Sequence, residues 1–251
     1  MPKKMRRQFS RFTSRSLLLL AFALSVAGCG VVAPQQTKRA PTPTPTAATN
    51  ATRPAEGESI NRVTSEPYTG DLSIFENPER DEKLQVERVM DVLGIKQGAS
   101  VADIGAGSGW FTVRAARRVG ERGAVYAVEI NRDYLKHIEE RAAKEGLKHI
   151  RTVLGKEDDP LLPEKSVDAV LILKTYHEIS QPVRLLARLR QSMRPGARLG
   201  IIDRNGKGDD HGIERETVIR EAARAGFSLA EEHDFVKPDG MDYFLVFQVR
   251  K

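Results

Sequence analysis

Cysteine is nearly absent from this chain of 251 residues, because Cys29 is the only one. A single thiol excludes an internal disulfide, a zinc site built from cysteines and any reaction that needs two thiolates. We predict no metal site. Long apolar runs are also absent: Leu17 to Ala27 is 11 residues, whereas a membrane-spanning helix needs about 20. The sequence is thus not that of a polytopic membrane protein.

Excess positive charge is missing once the N-terminus is set aside. The chain has 40 Lys and Arg against 34 Asp and Glu, but residues 1–28 hold six of the cations and no acid, which leaves 34 against 34. Nucleic-acid binding needs a basic patch on the folded part of a protein. We therefore expect no nucleic-acid partner.

The first 28 residues have the order of a secretory signal, with cations, then the apolar run, then small residues that lead to Cys29. They resemble a bacterial lipoprotein signal. The resemblance implies a signal peptide over residues 1–28 and a lipid anchor on Cys29. The protein would then be membrane-anchored and face the periplasm or cell exterior, or the cytoplasm if the signal is not processed. The alternative is a short apolar helix with an incidental buried cysteine.

Residues 29–68 are predicted to be a disordered tether, because bulky apolar residues are scarce and Pro and Thr alternate from Pro41 to Thr46. From residue 69 to 251 short apolar runs alternate with longer amphipathic segments, which is typical of an α/β fold. We predict a doubly wound, mostly parallel, seven-stranded sheet. Its last two strands are joined only by Lys237 to Gly240, so they should form a terminal antiparallel hairpin.

The pattern predicts these elements in detail. The strands are predicted at residues 100–104, 124–130, 150–154, 167–173, 198–203, 228–235 and 241–249. The helices are predicted at residues 79–93, 110–119, 132–145, 182–193 and 214–225.

A glycine-rich turn follows the first strand, where Asp103, Gly105, Gly107 and Gly109 have the spacing D-x-G-x-G-x-G and Trp110 begins a helix. Glycine lets a ligand approach the backbone where the chain turns sharply, and the helix N-terminus can hold an anionic group. A dinucleotide fingerprint, G-x-G-x-x-G, would place a small residue at position 110. The tryptophan there disfavours NAD and FAD.

The second strand ends at Glu129, twenty residues after Gly109. In such sheets an acid at this place accepts hydrogen bonds from both hydroxyls of a ribose. A glycine turn between a strand and a helix, followed by this acid, indicates a nucleoside-containing cofactor more strongly than the turn alone. The alternative is a structural turn and a surface glutamate.

With these motifs, residues 71–251 resemble the class I S-adenosyl-L-methionine-dependent methyltransferases, including the terminal antiparallel strand. The resemblance implies S-adenosylmethionine as the cofactor, with Glu129 at the ribose and Ile130 on the adenine face. It also implies that the adenine amino group meets an acid after the third strand, with Asp158 the first choice and Glu157 close behind. By the same resemblance, the methionine moiety lies along Asp103, Gly105, Gly107 and Gly109.

The catalytic candidates follow the fourth strand, at the switch point of the sheet, and are Tyr176, His177 and Glu178. His177 is a candidate base or substrate-orienting donor, or else a structural histidine. Tyr176 either closes over the cofactor or packs in the core. Asp203 ends the fifth strand and His211 follows it, so both could face the same cleft, although solvated loop positions are favoured for them.

These interpretations together predict a membrane-tethered methyltransferase that acts on a small or lipidic acceptor. The second hypothesis is a lipoprotein domain that binds the cofactor without catalysis, because S-adenosylmethionine is a cytoplasmic metabolite that an exported domain would rarely meet. A nicotinamide-dependent oxidoreductase is disfavoured by Trp110 and by the terminal hairpin. The acceptor and the oligomeric state are not predicted.

Overall fold

A computed structural model describes residues 62–65 and 67–251. The predicted signal peptide, Cys29 and most of the predicted tether lie outside the described residues, so the lipoprotein hypothesis remains a prediction. None of the helices in the two described ranges is long and apolar enough to cross a bilayer.

Seven strands and six α-helices make up the described domain. The strands are β1 Ser100–Ile104, β2 Ala124–Glu129, β3 Ile150–Leu154, β4 Val167–Leu173, β5 Met193–Asp203, β6 Phe227–His233 and β7 Tyr243–Val249. The helices are α1 Arg80–Leu84, α2 Val86–Val92, α3 Trp110–Val119, α4 Arg132–Glu145, α5 Pro182–Ser192 and α6 Arg215–Arg224. Short 3-10 helices cover Leu72–Phe75, Tyr176–Glu178 and Lys237–Asp239.

The seven strands form one sheet in the order β3-β2-β1-β4-β5-β7-β6. Strands β1 to β5 are parallel to one another, and β7 lies between β5 and β6 and is antiparallel to both. The chain leaves β1 towards β3 and returns to β4 on the other side. The topological switch point therefore lies between the carboxyl ends of β1 and β4, where ligands bind in sheets of this kind.

Helices cover both faces of the sheet, and adjacent residues of one strand serve opposite layers. Val101 of β1 packs with buried residues of α1, α2 and α3, whereas Ala102 packs with those of α5 and α6. Both side chains are fully buried. This alternation fixes the register of β1, because a shift of one residue would exchange the two faces.

The predicted fold class is confirmed, and β1, β3, β4, α3 and α4 have the predicted bounds. The helix predicted over residues 79–93 is instead two helices that meet at Gln85, whose φ is +52°. Tertiary contacts hold this break, since the Gln85 side chain donates to the Phe235 carbonyl oxygen and Arg88 lies over the Phe235 ring. A helical pattern does not reveal such contacts.

Strand β5 begins five residues earlier than predicted, at Met193 rather than Arg198. Pro195 and Gly196 indicate a turn in the sequence. In the structure they lie where the pairing with β4 is irregular between Val167 and Ala169. Proline is tolerated at such irregularities because no ladder hydrogen bond is required of it there.

The segment of residues 62–65, assigned to the tether from the sequence, contacts the domain. The Arg62 guanidinium donates to the Glu221 carboxylate at 2.9 Å and to the carbonyl oxygens of Tyr176 and Ile179. The N–H of Ser65 donates to the carbonyl oxygen of Gly208 at 2.9 Å. These are polar contacts over long sequence separations, so the lack of apolar periodicity in this segment did not reveal them.

Candidate functional site

The turn between β1 and α3 brings the backbone to the switch point. Gly105 and Gly109 have φ values of +72° and +75°, which side chains other than glycine rarely adopt. A Cβ on Gly105 would lie 2.2 Å from Cγ2 of Thr175, and one on Gly109 would lie 3.0 Å from Cγ1 of Ile138. The glycines therefore allow close packing of the turn against the segment after β4 and against α4.

Glu129, at the end of β2, holds this turn from the other side. Its carboxylate accepts hydrogen bonds from the N–H groups of Gly107 at 3.0 Å, Ile130 at 2.8 Å and Asn131 at 3.1 Å. A carboxylate has about four acceptor positions. One position therefore remains free for a ligand.

Asp103 lies beneath the turn and is 3% exposed. Its carboxylate accepts a hydrogen bond of 2.6 Å from the Thr112 hydroxyl. Burial raises the pKa of Asp103 to about 7, and the nearby Glu129 acts in the same direction, while the Thr112 hydrogen bond opposes the shift. The negative charges of Asp103 and Glu129 thus receive hydrogen bonds from neutral donors.

A cavity of about 1090 Å³ lies above the carboxyl ends of β1, β2 and β4. The turn, Asp103 and Glu129 line one part of it, the glycine end, and His177, Glu178 and His211 line another part, the His177 end. Tyr68, Ile74 and Phe75 form part of its wall. Two candidate groups that are far apart in the sequence therefore share one cavity.

Arg80 connects the wall to the body of the domain. Its guanidinium carbon lies 4.5 Å from the centroid of the Trp110 ring, and its nitrogens donate to the Asp239 carboxylate and the Phe75 carbonyl oxygen. The guanidinium carbon of Arg114 lies 4.0 Å from the same indole centroid. Trp110 is thus stacked with two guanidinium groups and begins α3 beside the cavity.

His177 is held by Asp203 beneath the other end of the cavity. The His177 Nδ1 atom lies 2.9 and 3.0 Å from the two carboxylate oxygens of Asp203, and the His177 backbone N–H donates to the same group. Because a carboxylate is the acceptor, we assign the proton to Nδ1. Nε2 is then an acceptor, and it lies 3.8 Å from Oε1 of Glu178.

Glu178 and His211 complete this end of the cavity. Burial raises the pKa of Glu178, the nearby His177 lowers it, and Glu129 and Asp203 add to the increase. The ring of His211 is perpendicular to that of His177, with 5.9 Å between the centroids. His211 is exposed, as the solvated loop position predicts, and it also lines the cavity. The solvated position favoured for Asp203 is wrong, because Asp203 is fully buried.

Tyr176 is not placed for catalysis. Its side chain is fully buried, its hydroxyl donates to Glu221 at 2.8 Å, and the cavity wall does not include it. Burial raises the pKa of Tyr176 well above its ordinary value, and the negative charge of Glu221 adds to the effect. Core packing, one of the two alternatives for this residue, is what the structure shows.

The two acids proposed to contact adenine also differ in position. Glu157 lines the cavity, whereas Asp158 forms an ion pair with Arg184 at 2.9 Å and does not line it. The structure therefore favours Glu157 over Asp158, the first choice from the sequence. Ile130 is 45% exposed and lies beside Glu129 on the cavity wall.

Comparison with known proteins shows what this geometry is similar to. Residues 101–196 match the model of a family described as a methyltransferase domain. A solved structure of a SAM dependent methyltransferase from Aquifex aeolicus matches with a TM-score of 0.64 at 26% identity, covering 72% of this chain and all of that one. The described part of the chain thus has the fold of SAM-dependent methyltransferases, and residues 101–196 are similar to their methyltransferase domain.

Curated relatives are similar to less than half of this chain. Nocamycin O-methyltransferase from Saccharothrix syringae is 29% identical over 45% of this chain and 41% of its own length. The 2-phytyl-1,4-naphtoquinone methyltransferase of Trichormus variabilis is 32% identical over 44% of this chain and 48% of its own. The chain thus spans less than half the length of these relatives.

The family match and the fold imply that the described domain binds S-adenosylmethionine. The residues present fit this cofactor, which carries a sulfonium and an ammonium cation. Asp103 and Glu129 place two carboxyl groups on the cavity wall, and Glu129 retains an acceptor position. The volume of the cavity is also that of a typical small-molecule site or slightly larger.

Proposed function

We propose that this protein transfers a methyl group from S-adenosylmethionine to a small or lipidic acceptor that binds in front of His177. The observation that carries the proposal is the shared cavity, whose wall includes Gly107 and Glu129 as well as His177 and Glu178. Methyl transfer needs the donor and the acceptor aligned in one water-excluding space. The cavity wall contains both the residues expected to bind the methyl donor and the residues expected to bind the acceptor.

The glycine end would hold the cofactor. Glu129 would accept hydrogen bonds from the ribose through its remaining position and in exchange for one of its three N–H bonds. Ile130 would pack on the adenine ring and Glu157 would accept from its amino group. Asp103 would balance the charge of the methionine moiety, together with the backbone of the turn. The sulfonium of the cofactor supplies the methyl group.

The His177 end would hold the acceptor. Nε2 of His177 faces the cavity as a hydrogen-bond acceptor, so it can orient an acceptor hydroxyl or take its proton. Asp203 fixes the ring through Nδ1 at 2.9 Å. A buried carboxylate in this position also stabilises the imidazolium that proton transfer would create. Glu178 would contribute a second polar contact.

The apolar wall supports a lipidic acceptor or a small acceptor with a large apolar part. Ile74 is 58% exposed and Tyr68 is 36% exposed, although both line the cavity. A relative named for 2-phytyl-1,4-naphtoquinone, a quinone with a phytyl chain, supports the same class. An apolar substituent covering these side chains would bury surface worth about 25 cal/mol per Å².

The membrane tether is a separate part of the proposal. A lipid on Cys29 would place the domain at a bilayer, where lipidic acceptors are concentrated. Radiolabelled palmitate should label the full chain but not Cys29→Ala, and globomycin should shift the mobility of the wild-type protein. An unlabelled wild-type protein would rule out the lipid anchor.

Methyl transfer itself is tested with the full chain, methyl-tritiated S-adenosylmethionine, and lipid and small-molecule extracts of the host cell. We expect a labelled product with one extract, which His177→Gln should lose and the exposed His137→Gln should retain. If no extract is labelled although S-adenosylhomocysteine binds, the result supports a domain that binds the cofactor without catalysis.

A further inference from the structure

Three potential metal ligands meet at the His177 end of the cavity, which is the acceptor end in the proposed function. His177, Glu178 and His211 each offer one ligand atom, and these atoms all lie within 4.8 Å of one another. Two imidazole nitrogens and one carboxylate oxygen suit divalent transition ions such as zinc and iron. The sequence did not indicate this group, because His211 is 33 residues away from Glu178 and lies in a polar loop.

Asp203 orients the His177 ring for metal binding. Metal-ligating histidines commonly donate their second ring N–H to a carboxylate, which fixes the tautomer and the ring orientation. Here Nδ1 of His177 lies 2.9 Å from Asp203, which is fully buried and also accepts from the N–H of Arg204 at 2.9 Å. Nε2 is therefore left with its lone pair on the side of Glu178 and His211.

The backbone of His211 is also fixed by contacts from distant residues. Its N–H donates to the Ser65 hydroxyl at 3.0 Å, and its carbonyl oxygen accepts from Nε of Arg204 at 2.8 Å. Ser65 in turn donates to the carbonyl oxygen of Gly208. His211 is the most exposed of the three residues. Its loop is thus attached to the segment of residues 62–65, which keeps His211 beside His177.

We propose that His177, Glu178 and His211 bind a divalent transition-metal ion whose remaining coordination positions face the cavity. The inference deepens the proposed function and rests on it for the role of the ion. Three protein ligands with open positions are typical of catalytic rather than structural sites. An acceptor hydroxyl on the ion would lose its proton to solvent more readily, and His177 would then act as a ligand rather than as the base.

The test uses the full chain, treated with a chelator and dialysed, and then titrated calorimetrically with zinc chloride. We expect one equivalent to bind with micromolar or tighter affinity. Magnesium chloride should not bind measurably at the same concentrations, because magnesium prefers oxygen ligands and retains its waters. His211→Ala should lose this equivalent or bind it at least 10-fold more weakly. Because His211 is exposed, this substitution should leave the melting temperature nearly unchanged.

Two controls separate this site from adventitious binding. His233 forms another histidine–glutamate pair, with Nε2 3.2 Å from Glu231, so His233→Ala matches the chemistry without the third ligand and should retain zinc. Asp203→Asn should weaken zinc binding by 10-fold to 100-fold in the folded variant, because a neutral amide replaces the carboxylate that accepts the Nδ1 proton of His177.

The outcomes distinguish this inference from the proposed function. A folded wild-type chain that does not bind zinc, or a His211→Ala variant that binds it as well as the wild type, would overturn the metal site. S-adenosylhomocysteine is titrated into the same samples. Its binding without zinc binding contradicts only the metal site, and zinc binding without it supports the metal site and contradicts only the proposed function.

Discussion

The two ends of the cavity are built in different ways. Most of the cofactor end, at the glycine turn, comes from one continuous stretch from Ser100 to Ile130 that contains β1, the turn, α3 and β2, and Glu157 joins it from the segment after β3. The acceptor end combines the segment after β4, the loop after β5 and residues near 65 and 75, which are more than 140 residues apart at the extremes. Local sequence thus specifies one end, whereas tertiary contacts assemble the other.

The largest effect should come from the acceptor end. His177→Gln keeps a polar side chain but removes the atom that can take a proton or bind an ion, so turnover should fall by about 10²-fold to 10⁴-fold. Affinity for S-adenosylhomocysteine should stay within about 3-fold of the wild type, since the cofactor end is intact. The measurement is a tritium-transfer assay beside calorimetry. A parallel loss of cofactor affinity would mean that the two ends are not separate.

Gly105→Ala should have the next largest effect, on the free energy of unfolding. The added Cβ would meet Thr175 at 2.2 Å in a left-handed conformation, so we expect a loss of about 2–5 kcal/mol from overpacking and backbone strain together. Gly146→Ala is the matched control, because its φ is +70° and nothing lies within 4 Å. It should lose only about 1–2 kcal/mol in urea unfolding. Equal losses of unfolding free energy in the two variants would contradict the close approach of Gly105 to Thr175.

Much of the cofactor end can be predicted from the sequence, because its parts are close together in the chain. The spacing of Asp103, Gly105 and Glu129 predicts both the turn and the acid beside it, and all three line the cavity. Gly109 does not line it and instead packs against Ile138. Its spacing identifies the turn correctly but does not distinguish a ligand contact from helix packing.

The acceptor end can be predicted from the sequence only in part. The position of His177 after β4 places it at the switch point, but the partners of each side chain depend on packing. Tyr176 is adjacent to His177 and lies in the core, because it binds Glu221 of α6. His211 is in a polar loop and lies in the cavity, because Ser65 and Arg204 hold its backbone. No local pattern contains these contacts.

Asp103→Asn should change the pH dependence of stability. The pKa of Asp103 is about 7 in the folded state and its ordinary value is 3.8, so the folded state binds the proton more tightly. The free energy of unfolding of the wild type should therefore fall as pH rises from about 4 to about 7, and this contribution should level off above that range. The total would be a few kcal/mol at 1.36 kcal/mol per unit of pKa.

Urea unfolding at pH 5, 6, 7 and 8 measures this effect. The difference in unfolding free energy between the wild type and Asp103→Asn should change in favour of the variant as pH rises. Asp209→Asn, in an exposed loop, is the control and should track the wild type. A pH-independent difference for Asp103→Asn would show that the carboxyl is not shifted by burial.

Tyr176→Phe should have the smallest effect on activity. The substitution removes the hydroxyl that donates to Glu221 and should cost about 1–2 kcal/mol of stability. Turnover should stay within about 3-fold, since the hydroxyl is remote from the cavity. Tyr243→Phe, which loses a hydrogen bond to a neutral carbonyl oxygen, should cost less. A large loss of turnover in Tyr176→Phe would restore a catalytic role for that residue.

The most direct test of the account is calorimetric titration of the full chain with S-adenosylhomocysteine, with NAD as a control ligand. We expect micromolar binding of the first and none of the second. Glu129→Gln should bind at least 10-fold more weakly, since a charge-assisted hydrogen bond contributes about 1.5–3 kcal/mol, while the exposed Glu140→Gln should bind as the wild type does. Unchanged binding in Glu129→Gln, or no binding by the folded wild-type protein, would contradict the assignment of the cavity.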